Sequence, residues 1–126
     1  MIKITLNKEQ KTLIWLHVGE VTESDLIKAI NKTKIFCENF KDLKILELNK
    51  NTPIKLGVNK ILEITNIARQ HFYSFKSIKH AFVSNKPINV ALFVMVINSY
   101  NHINQEYRTK AFSTQEAAIN WLKKSY

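Results

Sequence analysis

The chain has 126 residues, a length that fits one domain, 1–126, with a hydrophobic core of its own. A hydrophobic content of 45% excludes a disordered chain, and the single cysteine, Cys37, excludes an internal disulfide and suits a reducing cytoplasm. The formal net charge of +9 could attract nucleic acid, but only two of the 19 basic residues are arginine, the residue preferred for reading phosphates and bases.

The longest apolar run in the sequence extends from Val90 to Ile97 and has eight residues. A helix that crosses a membrane needs about 20 apolar residues, so no transmembrane segment is predicted. The opening residues, MIKITLNKEQ, contain no long apolar stretch. We therefore expect no secretory signal and a cytoplasmic protein.

The first half of the chain predicts two strands, a helix and a third strand. Residues 2–6 alternate apolar and polar side chains, residues 12–18 are rich in β-forming types, and the short polar link between them predicts an antiparallel hairpin. Thr22 is placed to cap a helix whose apolar stripe comprises Leu26, Ile30, Thr33 and Cys37. Residues 43–49 alternate again, which is typical of a strand.

The second half predicts a helix over 58–72, strands over 78–85 and 107–112, and a C-terminal helix. The first of these helices places at helical spacing the residues Val58, Ile61, Leu62, Thr65, Ala68 and Phe72. Ser113 followed by Glu116 is the pattern of a capping box, ahead of a buried stripe formed by Ala117, Ala118, Trp121 and Leu122. Strands separated by helices imply crossover connections, and therefore a sheet that is largely parallel beyond the first hairpin.

Residues 87–98, PINVALFVMVIN, fit either a buried strand or a buried helix by periodicity alone. The valine and isoleucine content favours a strand. Pro87 suits the first turn of a helix, and a helix over 87–103 gives the flanking strands a right-handed parallel crossover. We therefore predict a helix there. The chain order is then β-β-α-β-α-β-α-β-α, an α/β fold with helices packed against a single mixed sheet of four to five strands.

The predicted helix over 87–103 is apolar nearly all round, so one sheet cannot cover every side of it. One stripe comprises Ile88, Leu92, Met95 and Ser99, and we expect Phe93, Val96 and Ile97 to be directed away from the stripe that meets the sheet. Leaving these three side chains exposed loses roughly 1.5–3 kcal/mol of burial free energy for each of them. A cover is therefore expected, either another helix, a second subunit or an apolar ligand, and the candidate contact residues are Phe93, Val96, Ile97 and Tyr100.

No residue pattern in the sequence predicts a catalytic, cofactor-binding or metal-binding site. His71 and His80 fall on different elements without an ordered set of acidic companions, and zinc-binding spacings are absent. We expect His17 to be a packed or surface residue. The chain has only two glycines and so lacks the loops that hold phosphates. The aromatic run at 71–75 lies beside lysines and could stack bases, but such aromatics belong more often to a core.

The stretch KHAFVSNKPINVALFVMVIN, together with YRTKAFSTQEAAINWL further on, resembles the C-terminal half of one group of STAS domains. That group is the SpoIIAA-like branch, bacterial proteins similar to anti-sigma factor antagonists, in which a short strand, a helix, a strand ending in Phe and a terminal helix recur. The segment VGEVTESDL is similar to the family's strand-to-helix turn, so the resemblance covers most of the chain. It implies a mixed sheet with packed helices and no catalytic activity.

In the antagonist proteins a DSSG-like motif after the central strand carries a phosphorylated serine. The matching stretch here, ELNKNTPIKLGVN, lacks that motif and offers Thr52 as its hydroxyl-bearing residue and sole candidate phosphosite. The predicted function is a non-enzymatic binding or regulatory module that acts through protein contact or self-association, as a homodimer, via helix 87–103. The alternative is a carrier or sensor of a small apolar or lipid ligand, and the third candidate is an electrostatic nucleic-acid binder.

Overall fold

The computed structural model describes residues 1–100 and 106–124. Within these residues the elements are β1 (Ile2–Asn7), β2 (Thr12–His17), β3 (Val21–Thr22), α1 (Glu23–Phe36), β4 (Asp42–Leu48), β5 (Ile54–Lys55), α2 (Ile61–Phe72), β6 (Ser77–Val83), α3 (Pro87–Ser99), β7 (Glu106–Phe112) and α4 (Gln115–Lys123). The predicted order of the main elements is confirmed, and the two-residue strands β3 and β5 are additional. No helix in these ranges is both long enough and apolar enough to cross a membrane.

Five of the strands form one sheet, in the order β1-β2-β4-β6-β7. β1 and β2 are antiparallel, with Ile4 opposite Trp15, as the predicted hairpin requires. The other neighbours, β2 with β4, β4 with β6 and β6 with β7, are parallel, because a helix connects the strands of each pair. The predicted α/β class with a single mixed sheet is therefore confirmed. β3 and β5 form a separate parallel pair.

The helices divide between the two faces of the five-stranded sheet. α1, α2 and α3 pack side by side in chain order, whereas α4 packs on β4, β6 and β7. Ile45 and Leu46 are neighbours in β4 but belong to different core clusters, because side chains alternate between the faces of a strand. The larger cluster contains Leu13, Ile30, Ile45, Phe72 and Ile78, and the smaller one, under α4, contains Leu46, Ala81, Ala118 and Leu122. Three helices therefore enclose the interior on one side.

The helix ends follow the sequence pattern in one case and depart from it in another. Thr22 caps α1 as predicted, and its own amide donates to Asp25 Oδ2 at 2.9 Å. Thr114 caps α4 in place of Ser113, because the Thr114 hydroxyl accepts from the Ala117 amide at 3.3 Å. α3 ends at Ser99, and residues 101–103 of the predicted helix lie outside the described residues.

The predicted apolar stripe of α2 is wrong at its first turn. Val58 lies in the 3-10 turn that precedes the helix, and both Val58 and Leu62 are exposed. The helix begins at Ile61, and the face it buries contains Ile61, Ile64, Thr65 and Phe72. Ile64 therefore occupies the place in the core that the pattern gives to Leu62.

Candidate functional site

Three polar side chains from the inner strands of the sheet meet at one place: His17 of β2, Glu47 of β4 and His80 of β6. Each lies two residues from a buried apolar residue of its own strand: Trp15 in β2, Ile45 in β4 and Ile78 in β6. Because side chains alternate along a strand, residues two apart point to the same face, so all three polar side chains point to the face covered by α1, α2 and α3. β4 lies between β2 and β6, so Glu47 lies between the two histidines. We call these residues the histidine–glutamate cluster.

Glu47 is hydrogen-bonded to both histidines. Burial alone would raise the pKa of its carboxyl group, but the hydrogen bonds from His17 and His80 outweigh burial and hold the pKa at about 2. Glu47 is therefore a carboxylate, which only accepts hydrogen bonds. It follows that His17 Nε2 donates to Oε2 at 2.7 Å and His80 Nε2 donates to Oε1 at 2.8 Å.

The proton position on His17 follows from its second neighbour, Asn49. The Asn51 amide donates to Asn49 Oδ1 at 3.0 Å, which fixes the orientation of the Asn49 side chain. Asn49 Nδ2 then donates to the Thr52 carbonyl at 3.1 Å and to His17 Nδ1 at 3.0 Å. His17 Nδ1 is thus an acceptor, and the ring proton is on Nε2, facing Glu47. Both ring nitrogens of His17 have partners.

Asn49 is also the centre of a network that joins the loop after β4 to the start of α3. Ser84 Oγ and Asn89 Nδ2 each donate to Asn49 Oδ1 at 3.0 Å. Asn89 Nδ2 also donates to the Thr52 carbonyl at 2.9 Å. Asn89 is only 1% exposed, and these bonds compensate the burial of its amide. We call Asn49, Thr52, Ser84 and Asn89 the asparagine network, and it fixes the N-terminal end of α3.

Beneath α3 the core contains a cavity of about 80 Å³. Glu47 and His80 contribute to its wall, and most of the remaining lining is apolar or aromatic. The lining includes Ala68 of α2, Leu92, Phe93, Val96 and Ile97 of α3, and Tyr100 after it. An apolar cavity of roughly 150 Å³ binds benzene, so this cavity suits a ligand smaller than benzene.

The orientation of α3 differs from the predicted one. Phe93, Val96 and Ile97 line the cavity, as does Leu92 of the predicted stripe, whereas the outer side carries Ile88, Val94 and Met95, which are 60%, 44% and 40% exposed. Periodicity cannot distinguish the sides of a helix that is apolar all round. Buried Asn89 decides the matter, because Phe93 and Val96 follow it by four and seven residues and so share its face. Their role as contact residues stays a prediction.

The histidine–glutamate cluster was not predicted. The interpretation of His17 as a packed residue is confirmed. The expectation that His80 lacks acidic companions is wrong, since Glu47 is hydrogen-bonded to both His17 and His80. The sequence does hold one indication of this cluster: Glu47 alternates with the outward residues of β4 and so points into the core, where a charged side chain requires partners. His71 lies on α2 and does not belong to the cluster.

The structure also shows the surroundings of Thr52 and Cys37, two residues considered in the sequence analysis. Thr52 is half-buried in the loop after β4, with its hydroxyl 3.3 Å from Asn49 Nδ2, and its role as a phosphosite stays a prediction. Cys37 is fully buried, as expected for a core residue, and burial raises the pKa of its thiol to about 11. In the part of the chain that the structure describes, no group of His, Cys, Asp and Glu residues could hold a metal ion.

Comparison with known proteins identifies the fold. No protein-family model matches the chain, and no curated protein matches it. Among solved structures it is similar to an uncharacterized protein of the DUF3478 family with a SpoIIAA-like fold, from Shewanella loihica PV-4. The TM-score is 0.54 and the identity 19%, over 97% of this chain and 92% of that one. The chain therefore has a SpoIIAA-like fold, and the resemblance seen in the sequence is confirmed at that level.

Proposed function

We propose that this chain with a SpoIIAA-like fold is a non-enzymatic binding module of the STAS type, and that it takes up a small apolar ligand beneath α3. The observation that carries the proposal is the cavity of about 80 Å³ lined by the inner face of α3. The cavity is partly open to solvent and its wall is almost entirely apolar, so a small apolar ligand would remove apolar surface from water.

The position of α3 supports a role in sensing the ligand. Phe93 and Ile97 face the cavity, and Val94 and Met95 on the opposite side of the same helix face solvent. The asparagine network holds the N-terminal end of α3, so a ligand would displace chiefly the part of the helix beyond Asn89. Such a displacement changes the outer surface of α3, and a partner protein can read that change.

Xenon, a monatomic probe of apolar cavities, tests the proposal. We expect xenon under pressure to shift the amide NMR signals of Phe93 and Ile97, which line the cavity. The change Ala68→Leu fills the cavity from α2 and is expected to abolish these shifts. It should also leave the free energy of unfolding unchanged or raise it by up to about 1 kcal/mol, because it buries additional carbon atoms.

Ala91→Leu is the matched control, since Ala91 lies on the exposed side of α3. This variant should show the same xenon-induced shifts as the unchanged protein. If xenon shifts no signal of the cavity-lining residues, the cavity does not admit a ligand and the proposal fails. If Ala68→Leu leaves the shifts in place, xenon binds elsewhere and the proposal fails as well.

A second candidate function is self-association through the outer side of α3. It is favoured by the exposure of Ile88, Val94 and Met95, three large apolar side chains on one helix. If the protein is a dimer, Val94→Glu is expected to halve its mass in size-exclusion chromatography with light scattering. Leu62→Glu, at an exposed apolar position of α2, should leave the mass unchanged. A monomer at every concentration of the unchanged protein would rule this function out.

A further inference from the structure

One nitrogen atom of a residue that lines the cavity has no hydrogen-bond partner. Among the described residues, the buried side-chain nitrogens in this condition are Arg69 Nε, His71 Nδ1 and His80 Nδ1, and of these residues only His80 lines the cavity. The side chain of His80 is 8% exposed. Buried polar atoms are almost always paired, because the loss of hydration is otherwise not compensated. His80 Nδ1 therefore lacks the partner that its position requires.

His80 differs from His17 in this respect. Both histidines donate from Nε2 to Glu47, but His17 Nδ1 accepts from Asn49, and no equivalent side chain reaches His80 Nδ1 in the described part of the chain. The nearest aromatic neighbour on α3 is Phe93, whose ring centroid lies 5.1 Å from that of His80. Phe93 in turn stacks on Phe82, with centroids 4.7 Å apart. The ring of Phe93 therefore lies beside His80 at the wall of the cavity.

We propose that the ligand is a small neutral molecule with an apolar body and one hydroxyl group, and that the hydroxyl forms a hydrogen bond with His80 Nδ1. This inference rests on the proposed function. A hydroxyl both donates and accepts, so it pairs with Nδ1 in either protonation state of the ring. The apolar walls match the body, and the buried negative charge of Glu47 disfavours a carboxylate ligand. His80 Nδ1 is itself covered in this structure, so the hydrogen bond requires a neighbouring side chain to move, and the ring of Phe93, 5.1 Å from that of His80, is the α3 side chain placed to do so.

The test compares ethanol, chloroethane and formate, which are all smaller than benzene and have the same number of non-hydrogen atoms but different polar groups. Amide NMR signals of the cavity-lining residues report binding, and the side-chain ¹⁵N signals of the histidines report the hydrogen bond. We expect ethanol to move the signal of His80 Nδ1 and to leave the signals of His71 unchanged. We expect chloroethane to shift the cavity amides without moving the Nδ1 signal, and formate to shift neither.

The variant His80→Leu provides the affinity measurement. It is expected to weaken the binding of ethanol by about tenfold, the loss of one hydrogen bond, and the binding of chloroethane by less than about twofold. If ethanol shifts the cavity amides but leaves the Nδ1 signal unmoved, the hydroxyl assignment is wrong while the proposed function stands. If neither neutral compound shifts the cavity amides, the proposed ligand is wrong, and the proposed function is wrong as well where xenon also shifts none of them. Should His80→Leu fail to fold, the Nδ1 signal of the unchanged protein still decides the question.

Discussion

Replacement of Glu47 by leucine is expected to destabilise the protein by about 3–5 kcal/mol. The change removes the acceptor of two buried hydrogen bonds, so that the Nε2 atoms of His17 and His80 are left without a partner in the core. Denaturation with urea at neutral pH measures the free energy of unfolding. Glu63→Leu, at an exposed position of α2, is the matched control and should change that free energy by less than about 0.5 kcal/mol.

The same carboxylate makes the stability depend on pH in a defined range. The pKa of Glu47 is lowered from 4.5 to about 2 in the folded protein. A lowered folded-state pKa stabilises the fold above the unfolded value, and on the order of 3 kcal/mol is lost as the pH falls from about 4.5 to about 2. Glu47→Gln removes this group, so its free energy of unfolding should fall less steeply over that range. Parallel curves for the two proteins would show that Glu47 is not ionised in the fold.

Replacement of Asn49 by alanine is expected to cost about 3–4 kcal/mol of stability. The side chain accepts from the Asn51 amide, Ser84 Oγ and Asn89 Nδ2, and it donates to His17 and to the loop at Thr52. Its removal leaves several buried polar groups unpaired and releases the N-terminal end of α3. Thermal unfolding measures the loss, and hydrogen exchange measures the faster opening of the α3 amides.

Asn31→Ala is the control for the asparagine network, because Asn31 is exposed on α1. It should leave stability unchanged or raise it by a few tenths of a kcal/mol, since alanine has the higher helix propensity. If Asn49→Ala destabilises the protein without increasing exchange in α3, the network contributes to stability but does not fix the helix. Destabilisation below about 1 kcal/mol would contradict the network itself.

The order of elements was predictable because it depends on local pattern and on the rules of strand connection. Residues 87–99 illustrate this, since their periodicity fits two structures and the crossover between β6 and β7 selects the helix. The cap at Thr22 was predictable for the same reason, because its hydrogen bonds join residues close in sequence. Local interactions and connection geometry together determine the fold class.

The site was not predictable because its residues are distant in sequence and meet only through the register of the strands. Glu47 finds its partners on β2 and β6, which no local pattern connects. The orientation of α3 depends on Asn89, a polar residue in an otherwise apolar helix, which binds the loop after β4. Polar residues at inward positions of apolar elements were the signal present in the sequence, but the partner of each such residue required the three-dimensional structure.

The register of the sheet has a consequence for the rate of folding. Among the described strands, only those of the β1–β2 hairpin pair with a strand close in sequence, whereas Ile45 pairs with Leu13 on one side and with His80 on the other. Each of these pairings requires closure of a long loop, whose entropy must be lost before the contacts form. Folding is therefore expected to be slow for a chain of this length. Glu47 gains its second histidine only when all three inner strands are aligned, so its removal should chiefly accelerate unfolding.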